Sequence, residues 1–215
     1  MLNGLQLLGR RAHPTRSSSW HHGPVRLPPP GRTIRSIGFD DAPFPRRRGA
    51  RVSLAGVVCS GTRFEGMVWG HVRRDGWDAT RAVARLLLGG KFLPQLHLVL
   101  LDGLSFGGFN LVDLEDLAGR IARPCVALMR RPPDLAAVER ALRRLPRPER
   151  RLRILERAGP VHLAPPFVFQ VRGADPGPVA EALARLTDRG HVPEPLRLAH
   201  LVGAAVRLGE SGRRA

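Results

Sequence analysis

Three β-type runs joined by very short connections, followed by regular alternation of helical and apolar stretches, constrain this chain more than any other feature of it. Residues 34–41 read as a strand. Residues 52–59 are small and β-branched and run into a Ser60-Gly61-Thr62 turn, and residues 64–72 continue as a third strand. Links this short place consecutive strands side by side in an antiparallel meander. Asp78 then stands where a helix over 79–88 needs its N-cap, and Gly89-Gly90 can close that helix. Residues 96–101 form an apolar run suited to a buried strand that lies parallel to its neighbour after a helical crossover. The alternation continues with a helix near 111–121, a strand at 125–129, a helix near 133–145, a strand at 167–171, and helices near 177–187 and 195–208. The expected fold class is α/β, with a meander of three antiparallel strands followed by βα units in one mixed sheet flanked by helices.

A chain of 215 residues fits one such domain, and no apolar run approaches the roughly 18–20 residues of a membrane span. Two cysteines, Cys59 and Cys125, stand far apart in apolar surroundings. They suit buried thiols in a reducing cytoplasm, the expected location, better than a disulfide or a metal site. The charge is the unusual quantity: 35 Lys and Arg against 18 Asp and Glu leave a net +17, and Lys91 is the only lysine. An arginine-dominated set in a chain with 24 Gly and 20 Pro partly reflects the codons of a GC-rich genome. An excess of this size still attracts polyanions, and guanidinium forks match phosphate geometry. Nucleic acid is therefore the expected partner, DNA ahead of RNA. Residues 1–33 hold arginines and a Pro28-Pro29-Pro30 run without an acid or a hydrophobic period, so they are expected to be a disordered basic tail, and the domain to span 34–215.

The acids are few, and their placement is suggestive. Asp40 and Asp41 end the first strand, Asp75 follows the third, and Asp102 ends the fourth. Side chains from the ends of adjacent strands meet on one rim of a sheet, and carboxylates gathered there repel one another unless a cation intervenes. Hard oxygen donors without clustered Cys or His point to Mg²⁺ or Mn²⁺, which can activate water for phosphodiester hydrolysis. The same aspartates also suit ordinary strand-end turns. A competing motif overlaps this loop: Gly103-Leu104-Ser105-Phe106-Gly107 has the G-x-S-x-G form of a serine hydrolase elbow, with Ser105 as its nucleophile.

Five strings, IRSIGFDDAPF, VRRDGWDAT, LLDGLSFGGFNLVDL, RPCVALMRRPPD and PEPLRLAHLVGAAVRLGESGR, follow one another in order between residues 34 and 213. Together they resemble the endonuclease dU family, uncharacterised prokaryotic proteins similar to endonuclease V. The resemblance implies an RNase H-like fold and a Mg²⁺- or Mn²⁺-dependent endonuclease acting on nucleic acid, with deaminated bases (uracil or inosine) as targets and DNA repair as its setting. It also leaves room for a relative that binds nucleic acid without cutting it. By position it implies Asp40, Asp41, Asp75 and Asp102 as metal ligands, and Asp40, Asp75, Asp102 and His200 as the catalytic set. Asp75 stands where endonuclease V has a glutamate, and the wedge that endonuclease V inserts between its second and third strands is replaced by Ser60-Gly61-Thr62-Arg63. Glu194, Glu210 and Ser211 are further candidates for the rim. Gly107, Gly108 and Asn110 are expected to open a helix whose amides hold a phosphate, with Arg130, Arg131 and Arg197 as phosphate contacts.

Overall fold

In the computed structural model, which describes residues 25–47 and 49–211, β1 (Arg35–Asp41), β2 (Arg51–Ser60) and β3 (Arg63–Arg73) form the expected meander. Helix α1 (Ala79–Leu87) then returns the chain to β4 (Leu98–Asp102), which lies parallel to β1. A two-stranded hairpin, β5 (Ser105–Phe106) and β6 (Asn110–Leu111), precedes α2 (Leu114–Ile121) and β7 (Cys125–Met129). After α3 (Leu135–Arg143) and α4 (Pro148–Arg157) come β8 (His162–Ala164), β9 (Phe167–Arg172), α5 (Pro176–Arg185) and α6 (Glu194–Leu208). The main sheet has seven strands in the order β3-β2-β1-β4-β7-β9-β8. Its β1–β4 and β4–β7 pairs are parallel, and the others are antiparallel.

Each face of the sheet buries its own core, because alternate residues of a strand point to opposite sides. Ile37, Phe39, Val99 and Leu101 face α1 and α2, whose Ala82, Val83, Leu87, Leu114, Leu117 and Ile121 cover them. Leu98, Leu100, Val126, Leu128 and Phe169 face the other way, against Val179, Leu183 and Leu196 of α5 and α6. Both cysteines are buried, and burial pushes the Cys59 thiol up to about 12. No described helix is long and apolar enough to cross a membrane.

One helix, α4, and three short strands, β5, β6 and β8, had no counterpart in the expected pattern or fell within other elements. The helix expected from 111 begins at Leu114, because Asn110 and Leu111 pair with the Ser105–Phe106 strand and Asp113 caps the helix by accepting from Asp116 N. Helix α4 takes up a stretch that reads as a run of charge. The part of the expected tail that is described, residues 25–33, lies against the domain. Val25 N donates to Gly173 O at 3.1 Å, and the Arg185 guanidinium donates to the carbonyls of Pro28, Pro29 and Arg32. The remainder of that tail, residues 1–24, lies outside the described residues.

Candidate active site at the carboxylate rim

Parallel pairing of β1 with β4 sets the first feature of the site. Phe39 is in register with Leu101, so the next residue on each strand, Asp40 and Asp102, follow side by side on the sheet face that α6 covers. Helix α6 can lie this close to β1 because Gly38, on the same face as Asp40, has no side chain. A Cβ there would stand 2.5 Å from the Pro195 carbonyl carbon. Gly203 passes Ala42 in the same way, its own added Cβ being 3.2 Å from Ala42 Cα. Between these two close approaches α6 presents His200, whose Nδ1 lies 2.8 Å from Asp40 Oδ2.

Asp40 is only 6% exposed. Burial, repulsion from Asp102 and, less strongly, from Asp41 push its carboxyl up to about 7, against the stabilising hydrogen bond from His200. Asp41 is pushed up to about 6, mainly by burial and also by Asp102, although the Gly107 N–H donates to its Oδ2. Burial raises Asp102 as well, opposed by Arg130, whose Nη2 stands 3.8 Å from Asp102 Oδ2, and by His200. Three carboxylates therefore hold protons more tightly than free ones do, which is the condition that a hard cation relieves. The donor set fits Mg²⁺ or Mn²⁺ in kind. As the side chains stand, no three His, Cys, Asp or Glu among the described residues form a metal-holding group; Asp40 Oδ2 and Asp41 Oδ2 are turned to His200 and Gly107 instead.

Asp75 reaches the same end of the sheet but has a different occupation. Its backbone is left-handed, with φ 55°. Its N–H donates to Gly107 O at 2.8 Å, its Oδ1 accepts from Phe109 N at 3.0 Å, and Arg74 Nε stands 3.5 Å from Oδ2. Asp41 and Asp75 thus grip the β5–β6 turn from two sides. The expectation that Gly107, Gly108 and Asn110 open a phosphate-binding helix is corrected here. They belong to a hairpin, and the Gly107 and Phe109 amides are already spent on carboxylates. Asn110 is a cap, but of α1. Its Oδ1 accepts from Ala79 N at 3.0 Å, and its Nδ2 donates to Arg73 O and Asp78 Oδ1.

Ser105 sits in a strand of that hairpin rather than at a strand-to-helix elbow, and no hydrogen bond joins it to a histidine among the described residues. The serine hydrolase reading has no geometry to support it. Arg130 stands at the rim with Arg131 exposed beside it. The Arg197 fork instead closes on Glu194, with Nε 2.8 Å from Oε2, and neither member of this pair joins the carboxylates. Glu65, paired with Arg35 and Arg63, lies at the opposite rim. Glu210 and Ser211, just beyond α6, are exposed.

One residue at this end was invisible in the sequence. Arg151 of α4 is 1% exposed and donates to Asp75 O at 2.8 Å, to Gly76 O and to Phe109 O, with its guanidinium carbon 4.0 Å from the centroid of the Trp77 ring. It ties α4 to both segments that hold the rim. Only its position in a basic run marked it in the sequence, and that signal is shared by its neighbours.

The family model for Endonuclease dU matches residues 32–207. A UPF0215 protein of Methanothermobacter thermautotrophicus is 40% identical over 183 residues, which cover 83% of this chain and 90% of that protein. A crystal structure of an Archaeoglobus fulgidus protein of unknown function superposes with a TM-score of 0.76 at 33% identity, covering 80% of this chain and 98% of the other. Endonuclease V of Ciona intestinalis, crystallised with a 24mer DNA containing an inosine, superposes with a TM-score of 0.50 at 13% identity, covering 78% and 82%. At that identity the likeness concerns the fold, which is RNase H-like.

Proposed function

This chain belongs to the endonuclease dU family, and from that premise we propose that it is a divalent-metal-dependent endonuclease whose site is the rim formed by Asp40, Asp41, Asp102 and His200. One observation carries the reading. A chain with 35 basic and 18 acidic residues leaves three carboxylates crowded together, with Arg130 at 3.8 Å as the one guanidinium among the described residues paired with them. Asp40 and Asp102 would hold the ion, with Asp41 auxiliary. Bound there, Mg²⁺ or Mn²⁺ would supply an activated water and stabilise the leaving oxygen of a phosphodiester. His200 Nδ1 lies within hydrogen-bond distance of Asp40 Oδ2; this bond would orient the carboxylate and leave the other ring nitrogen for proton transfer. Asp75 is proposed to support the rim by holding the β5–β6 turn, and Arg130 and Arg131 to meet phosphates beside it.

Deaminated bases in DNA are the proposed targets. The support is the family together with the fold shared with an endonuclease V that was crystallised on inosine DNA. The wedge connection is a short turn here, so the damaged base is proposed to be met by residues around the rim. A cleavage screen over uracil-containing, inosine-containing and undamaged DNA and RNA, with Mg²⁺, Mn²⁺ or EDTA, tests this. Metal-dependent cutting at one of the modified bases is expected. Tight binding without cutting under any condition would favour the non-catalytic reading, to which the separate engagement of Asp75 lends support.

A further inference from the structure

Away from the carboxylates, a cavity of about 640 Å³ opens between α1, α2 and α4, lined in part by Trp77, Arg81, Arg150 and Arg153. It shares Trp77 and Arg81 with a second recess of about 500 Å³ that reaches Arg74 and Asp75. The two form one groove running from the turn that supports the rim to the exposed side of α4. Its acids are accounted for. Arg157 stands 3.6 Å from Asp113 and 3.4 Å from Glu115, Arg120 is 2.8 Å from Asp116, and Asp78 accepts from Asn110. Arg81, Arg150 and Arg153 are exposed and have no carboxylate partner among the described residues. The Arg150 guanidinium carbon lies 4.9 Å from the centroid of the Trp77 ring, so the indole holds this cation at the mouth of the groove while leaving its donors free. Trp77 is itself fixed by Arg151, which is bonded to the Asp75 and Gly76 carbonyls.

We propose that this groove is a track for the phosphodiester backbone of the nucleic acid that crosses the rim, engaged through Arg81, Arg150 and Arg153. The proposal rests on the nuclease reading above and adds where the flanking strand lies. Three unneutralised guanidiniums spread along a groove, rather than converging on one point, suit a chain of repeated phosphates better than a single small anion. The groove begins one hairpin turn from the carboxylates, since Asp75 N donates to Gly107 O and Gly107 N donates to Asp41.

The test is fluorescence anisotropy of a labelled fifteen-nucleotide oligothymidylate in EDTA, which reads binding without metal or cleavage. The triple variant Arg81→Ala, Arg150→Ala, Arg153→Ala is compared with Arg63→Ala, Arg189→Ala, Arg207→Ala, which removes equal charge from residues outside the groove. The groove variant is expected to bind roughly tenfold or more weakly at moderate salt. Its slope of log K against log salt should fall by about two units, at ~0.7 per phosphate contact on a single strand. The control should lose less than about threefold, and circular dichroism melting should show both variants folded. Equal losses in the two variants would overturn the track while leaving the nuclease reading standing, provided the wild type still binds and cuts. Absence of oligonucleotide binding by the wild type at low salt would overturn both. Equal competition by poly-glutamate would assign the groove to an acidic protein segment and overturn the track alone.

Discussion

The carboxylate rim and the arginine groove lie about one hairpin apart, yet they treat charge in opposite ways. At the rim, like charges are gathered on adjacent strand ends, partly dehydrated, and held with pKa values of about 7 for Asp40 and about 6 for Asp41. In the groove, acids and bases are first matched pair by pair, and the surplus arginines project into solvent. Exposed charges cost little to keep apart from a partner, whereas buried like charges cost stability. The difference separates the two roles. The rim is built at the expense of folding free energy, while the groove adds attraction at almost no structural cost.

The strongest test of that contrast is neutralisation at the rim. Asp40→Asn and Asp102→Asn should each reduce metal-dependent cleavage by at least about 100-fold, of the order of 3 kcal/mol in the barrier. Neither should lower the melting temperature of the metal-free protein, and both should shrink the Mn²⁺-induced rise in melting temperature. A fall in metal-free stability with an unchanged Mn²⁺ shift would make these aspartates structural and break the contrast.

Arg151→Met is next. It leaves the Asp75, Gly76 and Phe109 carbonyls without their donor in a buried setting, so a loss of about 2–4 kcal/mol is expected by urea unfolding. Arg153→Met, two positions along on the exposed side, should change stability by less than about 0.5 kcal/mol. Similar losses at the two positions would show that burial does not separate these arginines.

The pH dependence has a definite sign. Asp40 and Asp41 titrate higher in the folded protein than the ordinary value of 3.8, so the folded state binds more protons between the two values. Their contribution to stability is complete below about pH 4 and is lost as pH rises through about 6 to 7. For Asp40 the effect is of the order of 2–4 kcal/mol. Measured without metal, the stability difference between wild type and Asp40→Asn should therefore widen in favour of the variant from pH 4 to pH 8. A constant difference would mean that burial and the neighbouring carboxylates do not hold Asp40 above its ordinary value. The smallest expected effect is at Ser105→Ala, which should leave cleavage unchanged within about twofold and stability within about 0.5 kcal/mol. Covalent labelling of Ser105 by a fluorophosphonate would contradict this.

The sequence made the frame of the molecule legible because strand period and short turns are local signals; Asp78 marks the start of α1 as expected, but its carboxylate accepts from Arg73 N and Asn110 Nδ2 rather than from the helix amides. The aspartates at the ends of β1 and β4 were legible for the same reason, since a strand's end can be read without knowing its neighbours. What escaped was tertiary. Asn110 precedes one helix and caps another 31 residues back along the chain. Gly107 and Gly108 look like a phosphate loop until the carboxylates that fill their turn are located. Helix α4 shows no apolar stripe because the one residue of it that is buried is an arginine. Asp75 reaches the right end of the sheet, as strand order requires, but which groups its oxygens meet depends on a hairpin 30 residues further on.

The contact between α6 and β1 carries a consequence in time. His200 meets a carboxylate 160 positions earlier in the chain, and it does so only once α6 has settled over Gly38 and, through its own Gly203, against Ala42. During synthesis at about 5–20 residues per second, both strand-end aspartates emerge several seconds or more before that histidine exists. A chain still being made therefore has carboxylates without their imidazole. The rim matures with the last helix: its paired aspartates exist on the nascent chain before the side chain that bonds one of them has been made.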